Sequence, residues 1–143
     1  MPMMTFLLPV DGSGSSDRAV QFVIALYHGL APVGIRLLHV EPPAPLTGGR
    51  IDVPGEDPEA SIDAGSAALQ SARALLDRAG VPYASELRQS GRYVPGVIAR
   101  CAKEMGCAAI VMGTHGMGSS GELFGSIARQ VVSHAEVPVT LVK

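Results

Sequence analysis

The chain has 143 residues, 47% of them hydrophobic and 17% charged, with a formal net charge of −2. That length predicts one domain, residues 1–143, whose core can bury roughly 70% of the unfolded chain's surface, so neither a disulfide nor a structural metal is required. The composition excludes intrinsic disorder, and the near-neutral charge with 4% aromatics excludes a basic or base-stacking surface for nucleic acid and an electrostatic one for acidic lipid.

The first residues carry no cationic leader region, and their apolar run is broken by Pro9 and ended by Asp11. This is neither a signal peptide nor a membrane span, and a cytoplasmic protein with no membrane partner is expected. Residues 5–10 read as a strand buried on both faces. Ser13, Ser15, Ser16 and Asp17 then offer N-cap oxygens for a helix starting near residue 16, with Val20, Val23, Ile24, Tyr27 and Leu30 as its apolar stripe. A second strand over residues 33–40 completes a β-α-β unit, which implies parallel strands and a right-handed crossover.

Residues 41–60 hold five of the chain's 11 prolines and read as a long surface loop. An alanine-rich helix over residues 58–79 turns Ile62, Leu69, Ala72, Leu75, Leu76 and Ala79 inward and stops at Gly80. Residues 83–89 alternate as a strand at or near a sheet edge. Val94, Val97, Ile98, Cys101, Ala102 and Met105 form another helical stripe, closed by Gly106. After it come a strand over residues 108–112, a glycine-rich loop over 113–121, a helix over 122–134 and a strand over 137–142. The expected fold is therefore α/β, an open five-stranded parallel sheet flanked by four helices. Cys101 and Cys107 lack metal or redox spacing and read as packing residues in a reducing compartment.

An open parallel sheet takes ligands beyond the carboxyl ends of its strands, where the strand order reverses. Two such ends carry unusual residues. One is Pro9-Val10-Asp11-Gly12-Ser13; the other is Gly113-Thr114-His115-Gly116 with the glycines after it, continuing to Gly125-Ser126. Glycines let backbone N–H groups approach an anion, and a helix N-terminus adds about half a positive charge. Gly116, Gly118 and Gly121 match the dinucleotide fingerprint by letter, but no acidic residue ends the next strand, and no P-loop lysine motif exists. Asp11 reads either as a ligand acceptor or as a brace of the turn, and His115 either as a site residue or as a turn residue. His39 reads as a packing histidine, and the serines as caps and turn formers without a base partner.

Five co-linear segments make a more specific pattern. They are Pro9-Val10-Asp11-Gly12-Ser13 with Ser16, Arg18 and Ala19; Leu38-His39-Val40; Gly113 to Gly116; Gly125-Ser126; and the ending from His134 through Pro138 to Val142. Together they resemble the universal stress protein family along essentially the whole chain. The resemblance implies a nucleotide-binding α/β fold, usually dimeric, that binds ATP or AMP, with Mg²⁺ held through the phosphates only. It places Asp11 against the ribose or adenine side, and Pro9, Val10 and the Val40 backbone around the base. Met112 and Gly113 would line the ribose, His115 and Gly116 would begin the phosphate loop, and Gly125, Ser126 and Ile127 would close on the phosphates.

Two departures from the family pattern stand out at the loop. Eight residues separate Gly116 from Gly125 where nine are usual in ATP-binding members, and one residue lost from a helical turn rotates the residues beyond it by roughly 100°. Met117 stands where a lysine or arginine is common. The functional expectation is a nucleotide-binding regulatory module. Its alternatives are a dimeric scaffold of the same fold that has lost the nucleotide, and a slow ATPase. A homodimer is expected through the last strand, because Val137, Val139, Leu141 and Val142 carry no charge to protect an exposed edge.

Overall fold

The computed structural model describes residues 3–41, 58–90, 93–116 and 125–143, with side chains of the helix that opens the second stretch described from Ser66. The proline-rich loop over residues 42–57, the side chain of Ile62, and the glycine-loop residues 117–124 lie outside the described residues. Among the described residues five strands and four helices alternate: β1 (Thr5–Pro9), α1 (Gly14–Gly29), β2 (Gly34–Glu41), α2 (Pro58–Ala79), β3 (Ala84–Gln89), α3 (Val94–Glu104), β4 (Ala109–Gly113), α4 (Ser126–His134) and β5 (Val139–Val142). All pairings are parallel, in the order β3-β2-β1-β4-β5.

The sheet is sandwiched because its central strands are apolar at consecutive positions, and successive side chains point to opposite faces. Leu8, Leu37 and Val111 meet Ala19, Val20 and Val23 of α1 and Leu69, Ala72 and Leu76 of α2. Their neighbours Leu7, Leu38 and Ile110 meet Ile98, Cys101 and Ala102 of α3 and Ala128 and Val131 of α4 on the other face. Each of these leucines is at most 1% exposed, and truncating one to alanine costs about 2–5 kcal/mol. Both cysteines are free and buried within the second of these layers.

Several element ends differ from the sequence reading. Leu30, expected on the inward stripe of α1, is 81% exposed. The helix stops at Gly29, and Leu30 sits at φ −120°, ψ −70° as its C-cap, so the helical period no longer governs where its side chain points. The last helix cannot run unbroken from residue 122, since Gly125 is extended at φ −66°, ψ 160° and α4 begins at Ser126. The last strand begins at Val139 rather than residue 137, although the Pro138 carbonyl already accepts the Ile110 N–H at 2.9 Å. Among the described residues no helix is long and apolar enough to cross a membrane.

Candidate functional site

Strand order reverses between β1 and β4, so the connections leaving these neighbours depart in opposite directions and leave a crevice at their carboxyl ends. A cleft of about 440 Å³ opens there, within the roughly 300–1,000 Å³ typical of small-molecule sites. Every nucleotide-site residue expected from the sequence lines it. Pro9, Val10 and Asp11 come from the end of β1, and Val40 comes from β2. Met112 and Gly113 close β4, His115 and Gly116 come next in the chain, and Gly125, Ser126 and Ile127 open α4.

The turn after β1 is built from its own polar side chains. The Val10 N–H still donates to the Leu38 carbonyl at 2.8 Å, which carries the β1–β2 ladder one residue past the strand. Asp11 Oδ1 then accepts the Ser13 N–H at 2.9 Å, and Ser13 Oγ accepts the Ser16 N–H at 3.2 Å as the N-cap of α1. The Asp11 N–H donates to Ser16 Oγ at 3.3 Å. Between them Gly12 takes φ +83°, with the Ala68 backbone of α2 only 3.4 Å from where a Cβ would stand. A side chain there is strained whatever the space. Of the two readings of Asp11, the turn brace is seen at Oδ1, and Oδ2 lies 2.8 Å from where a Cβ on Gly116 would be.

The other wall depends on two close approaches. A Cβ on Gly113 would lie 2.3 Å from Ser15 Oγ, so only glycine lets β4 end against the first turn of α1. Ser15 Oγ in turn accepts the His115 N–H at 3.1 Å, and His115 Nδ1 lies 2.8 Å from Thr114 Oγ1. The Gly125 N–H donates to the Thr114 carbonyl at 2.6 Å. The two ends of the shortened loop are thus joined by a hydrogen bond. Gly125 itself is extended, and α4 begins immediately after it at Ser126.

The helix N-termini at this end differ in their capping. That of α1 is capped by Ser13, whereas Tyr93 makes no side-chain cap for α3, whose Val94 also lines the cleft, and Gly125 has no side chain to cap α4. The first N–H groups of any helix lack intrahelical partners, and in α4 these belong to Ser126, Ile127 and Ala128, all at the cleft. Among the described lining residues there are two carboxylates, Asp11 and Glu41, and no lysine or arginine.

His39, a packing histidine by sequence, and Glu41, which no motif marks, both line the cleft. His39 Nδ1 donates to the Val10 carbonyl at 2.8 Å, and its Nε2 lies 3.2 Å from Glu41 Oε2. The available signal is their i, i+2 spacing at the end of a strand, which puts both side chains on one face. Val94 and Ile98 of α3, Ala68 of α2 and Thr114 are lining residues that sequence reasoning misses as well; the first two share a helix face at i, i+4 spacing. The other two histidines lie elsewhere: His28 contacts the Ala79 carbonyl, and His134 contacts Tyr93.

Comparison with known proteins agrees with this architecture. A universal stress protein from Archaeoglobus fulgidus superposes with a TM-score of 0.74 at 26% identity, covering 100% of this chain and 96% of that one. A protein of the universal stress protein family from Burkholderia pseudomallei gives 0.69 at 28% identity, over 96% and 94% of the two chains. A structure of the Archaeoglobus fulgidus universal stress protein in complex with dAMP gives 0.73 at 24% identity, over 99% and 98%. No curated protein sequence matches the chain. The sequence model of the Universal stress protein family matches residues 3–143, and with the fold it describes already in place, the chain belongs to that family.

Proposed function

We propose that the chain is a regulatory module that binds an adenine nucleotide, ATP or AMP, in the cleft at the ends of β1 and β4. The observation that carries this reading is the uncapped N-terminus of α4, whose Ser126, Ile127 and Ala128 open onto the cleft. Backbone N–H groups and a helix dipole there suit a phosphate. In this arrangement Gly116, Gly125, Ser126 and Ile127 hold the phosphates, and His115 flanks them. Met112 and Gly113 line the ribose, Asp11 Oδ2 accepts from its hydroxyls, and Pro9, Val10 and Val40 border the base. Mg²⁺ joins a triphosphate through phosphate oxygens alone. The dAMP complex of the Archaeoglobus protein supports the ligand class. A cytoplasmic setting agrees with the two buried free thiols.

The test is to denature the purified protein, separate released nucleotide by chromatography, and titrate emptied protein with AMP and Mg-ATP by calorimetry. Gly116→Val sets a Cβ 2.8 Å from Asp11 Oδ2 and is expected to weaken binding at least tenfold, about 1.4 kcal/mol. No saturation at millimolar nucleotide with the unmodified protein returns the chain to the alternative, a scaffold of the same fold.

A homodimer through residues 137–142 is the second part of the proposal. β5 is an edge strand, and its residues, Val139 to Val142, are half-buried or exposed in one chain. An uncharged edge of this kind is covered most simply by a second copy about a two-fold axis.

A further inference from the structure

We propose that Glu41 reads the amino group of the bound base, with His39 as the residue that positions it; this rests on the nucleotide reading of the cleft. The geometry begins with His39, 9% exposed and clamped across the ends of two strands. A carbonyl oxygen only accepts, so the 2.8 Å contact with Val10 puts a proton on Nδ1 and fixes the ring. The other ring nitrogen then meets Glu41 Oε2 at 3.2 Å, and it holds the ionised carboxylate in place as a donor when Nε2 carries a proton as well, that is, as an imidazolium. Glu41 Oε1 has no protein partner among the described residues, and the side chain is 25% exposed at the rim of the cleft.

Charge decides what that oxygen takes. A carboxylate accepts hydrogen bonds and repels anions, so the Glu41 end does not suit a phosphate, which goes to the α4 N-terminus across the cleft. The group that fits beside Val10 and Val40 is a flat apolar ring that presents an N–H donor. The exocyclic amine of adenine is such a donor, and a ring without it leaves Glu41 Oε1 buried by the ligand and unpaired. Sites that hydrogen-bond a particular group discriminate strongly against analogues that lack it, for this reason.

The experiment compares AMP with purine riboside 5′-monophosphate, which differs from it only in lacking the amine. Dissociation constants are measured by calorimetry for the native protein, Glu41→Leu, Glu41→Gln and His39→Phe, with thermal unfolding as the check on folding. The native protein is expected to favour AMP at least tenfold. Glu41→Leu brings the ratio to near one. Glu41→Gln keeps part of it, because the amide carbonyl still accepts but without charge assistance. His39→Phe lowers the ratio, whereas a merely structural histidine would weaken both ligands equally. Equal native affinity for the two ligands, or a ratio that survives Glu41→Leu, overturns the inference and leaves the cleft reading standing. Binding of neither ligand overturns the cleft reading itself.

Discussion

Replacing Gly113 by alanine tests whether β4 and α1 are packed as closely as the cleft requires. The added Cβ would lie 2.3 Å from Ser15 Oγ and 2.6 Å from both the carbonyl carbon and oxygen of Ser15. The hydroxyl can rotate away, at the cost of its hydrogen bond from the His115 N–H. The carbonyl belongs to the first turn of α1, where Ser15 is buried, and it cannot rotate. Restoring ordinary contact therefore moves α1 from β4 by roughly 1 Å through an interior packed as densely as an organic crystal. Overpacking costs about 1–3 kcal/mol, and a backbone clash puts this case near 3; the stiffer unfolded chain of a Gly→Ala change offsets about 0.4–1 kcal/mol. At about 2.1 cal/mol/K per residue the domain loses roughly 3 °C of Tm per kcal/mol, so a fall of about 6–9 °C is expected. The assay is thermal unfolding followed by circular dichroism. Gly29→Ala serves as the control, since its Cβ would meet nothing within 4 Å, and no fall is expected. A Gly113→Ala protein that melts within 1 °C of the native one would falsify the close approach of α1 to β4 (threshold ~0.3 kcal/mol on the same scale).

Burial pushes the thiols of Cys101 and Cys107 up from their ordinary range, with desolvation the leading cause in both. The folded state therefore keeps its thiol protons where the unfolded chain has lost them. The associated stability is intact below about pH 8.5 and declines as pH rises, by up to about 1.4 kcal/mol per pH unit for each thiol. Urea unfolding of the native protein and Cys101→Ala/Cys107→Ala between pH 7 and 10 should show the steeper decline in the native protein; parallel curves would refute this. Ser71→Ala removes a hydroxyl that donates to Asp17 at 2.8 and 2.7 Å between α2 and α1. A loss of about 1.5–3 kcal/mol is expected, and a double-mutant cycle with Asp17→Ala that gives no coupling would show the contact to be inert. Leu141→Pro deletes a backbone donor on the outer edge of β5, since the register turns the Thr140 N–H inward to β4, and is expected to give monomer by light scattering, whereas a surviving dimer would put the interface elsewhere.

Much of the candidate site is legible in the sequence because its residues sit at strand ends that hydrophobic periodicity marks. Asp11 comes after an unbroken apolar run, and Gly113 ends another, so a parallel sheet brings the two to one end. Glu41 escapes such a reading because a carboxylate beside a proline-rich stretch carries no local sign of what it faces. Its role depends on His39, whose partner Val10 is 29 residues away in sequence. Likewise Ser15 reads as one capping serine among several. It becomes a fixed point of the site only through the His115 N–H, 100 residues later.

Local pattern along the chain is enough to establish the alternation of strands and helices, the parallel sheet and the resemblance to the family. Those rest on the period of apolar residues, cap and glycine placement, and short motifs, which are properties of neighbours in sequence. Three-dimensional packing alone settles that the N-terminus of α4 opens at the cleft, that the Gly125 N–H meets the Thr114 carbonyl, and that His39 ties Val10 to Glu41. Each of these depends on distances between segments far apart in the chain. Packing sets those distances to within an ångström, and periodicity carries no information about them.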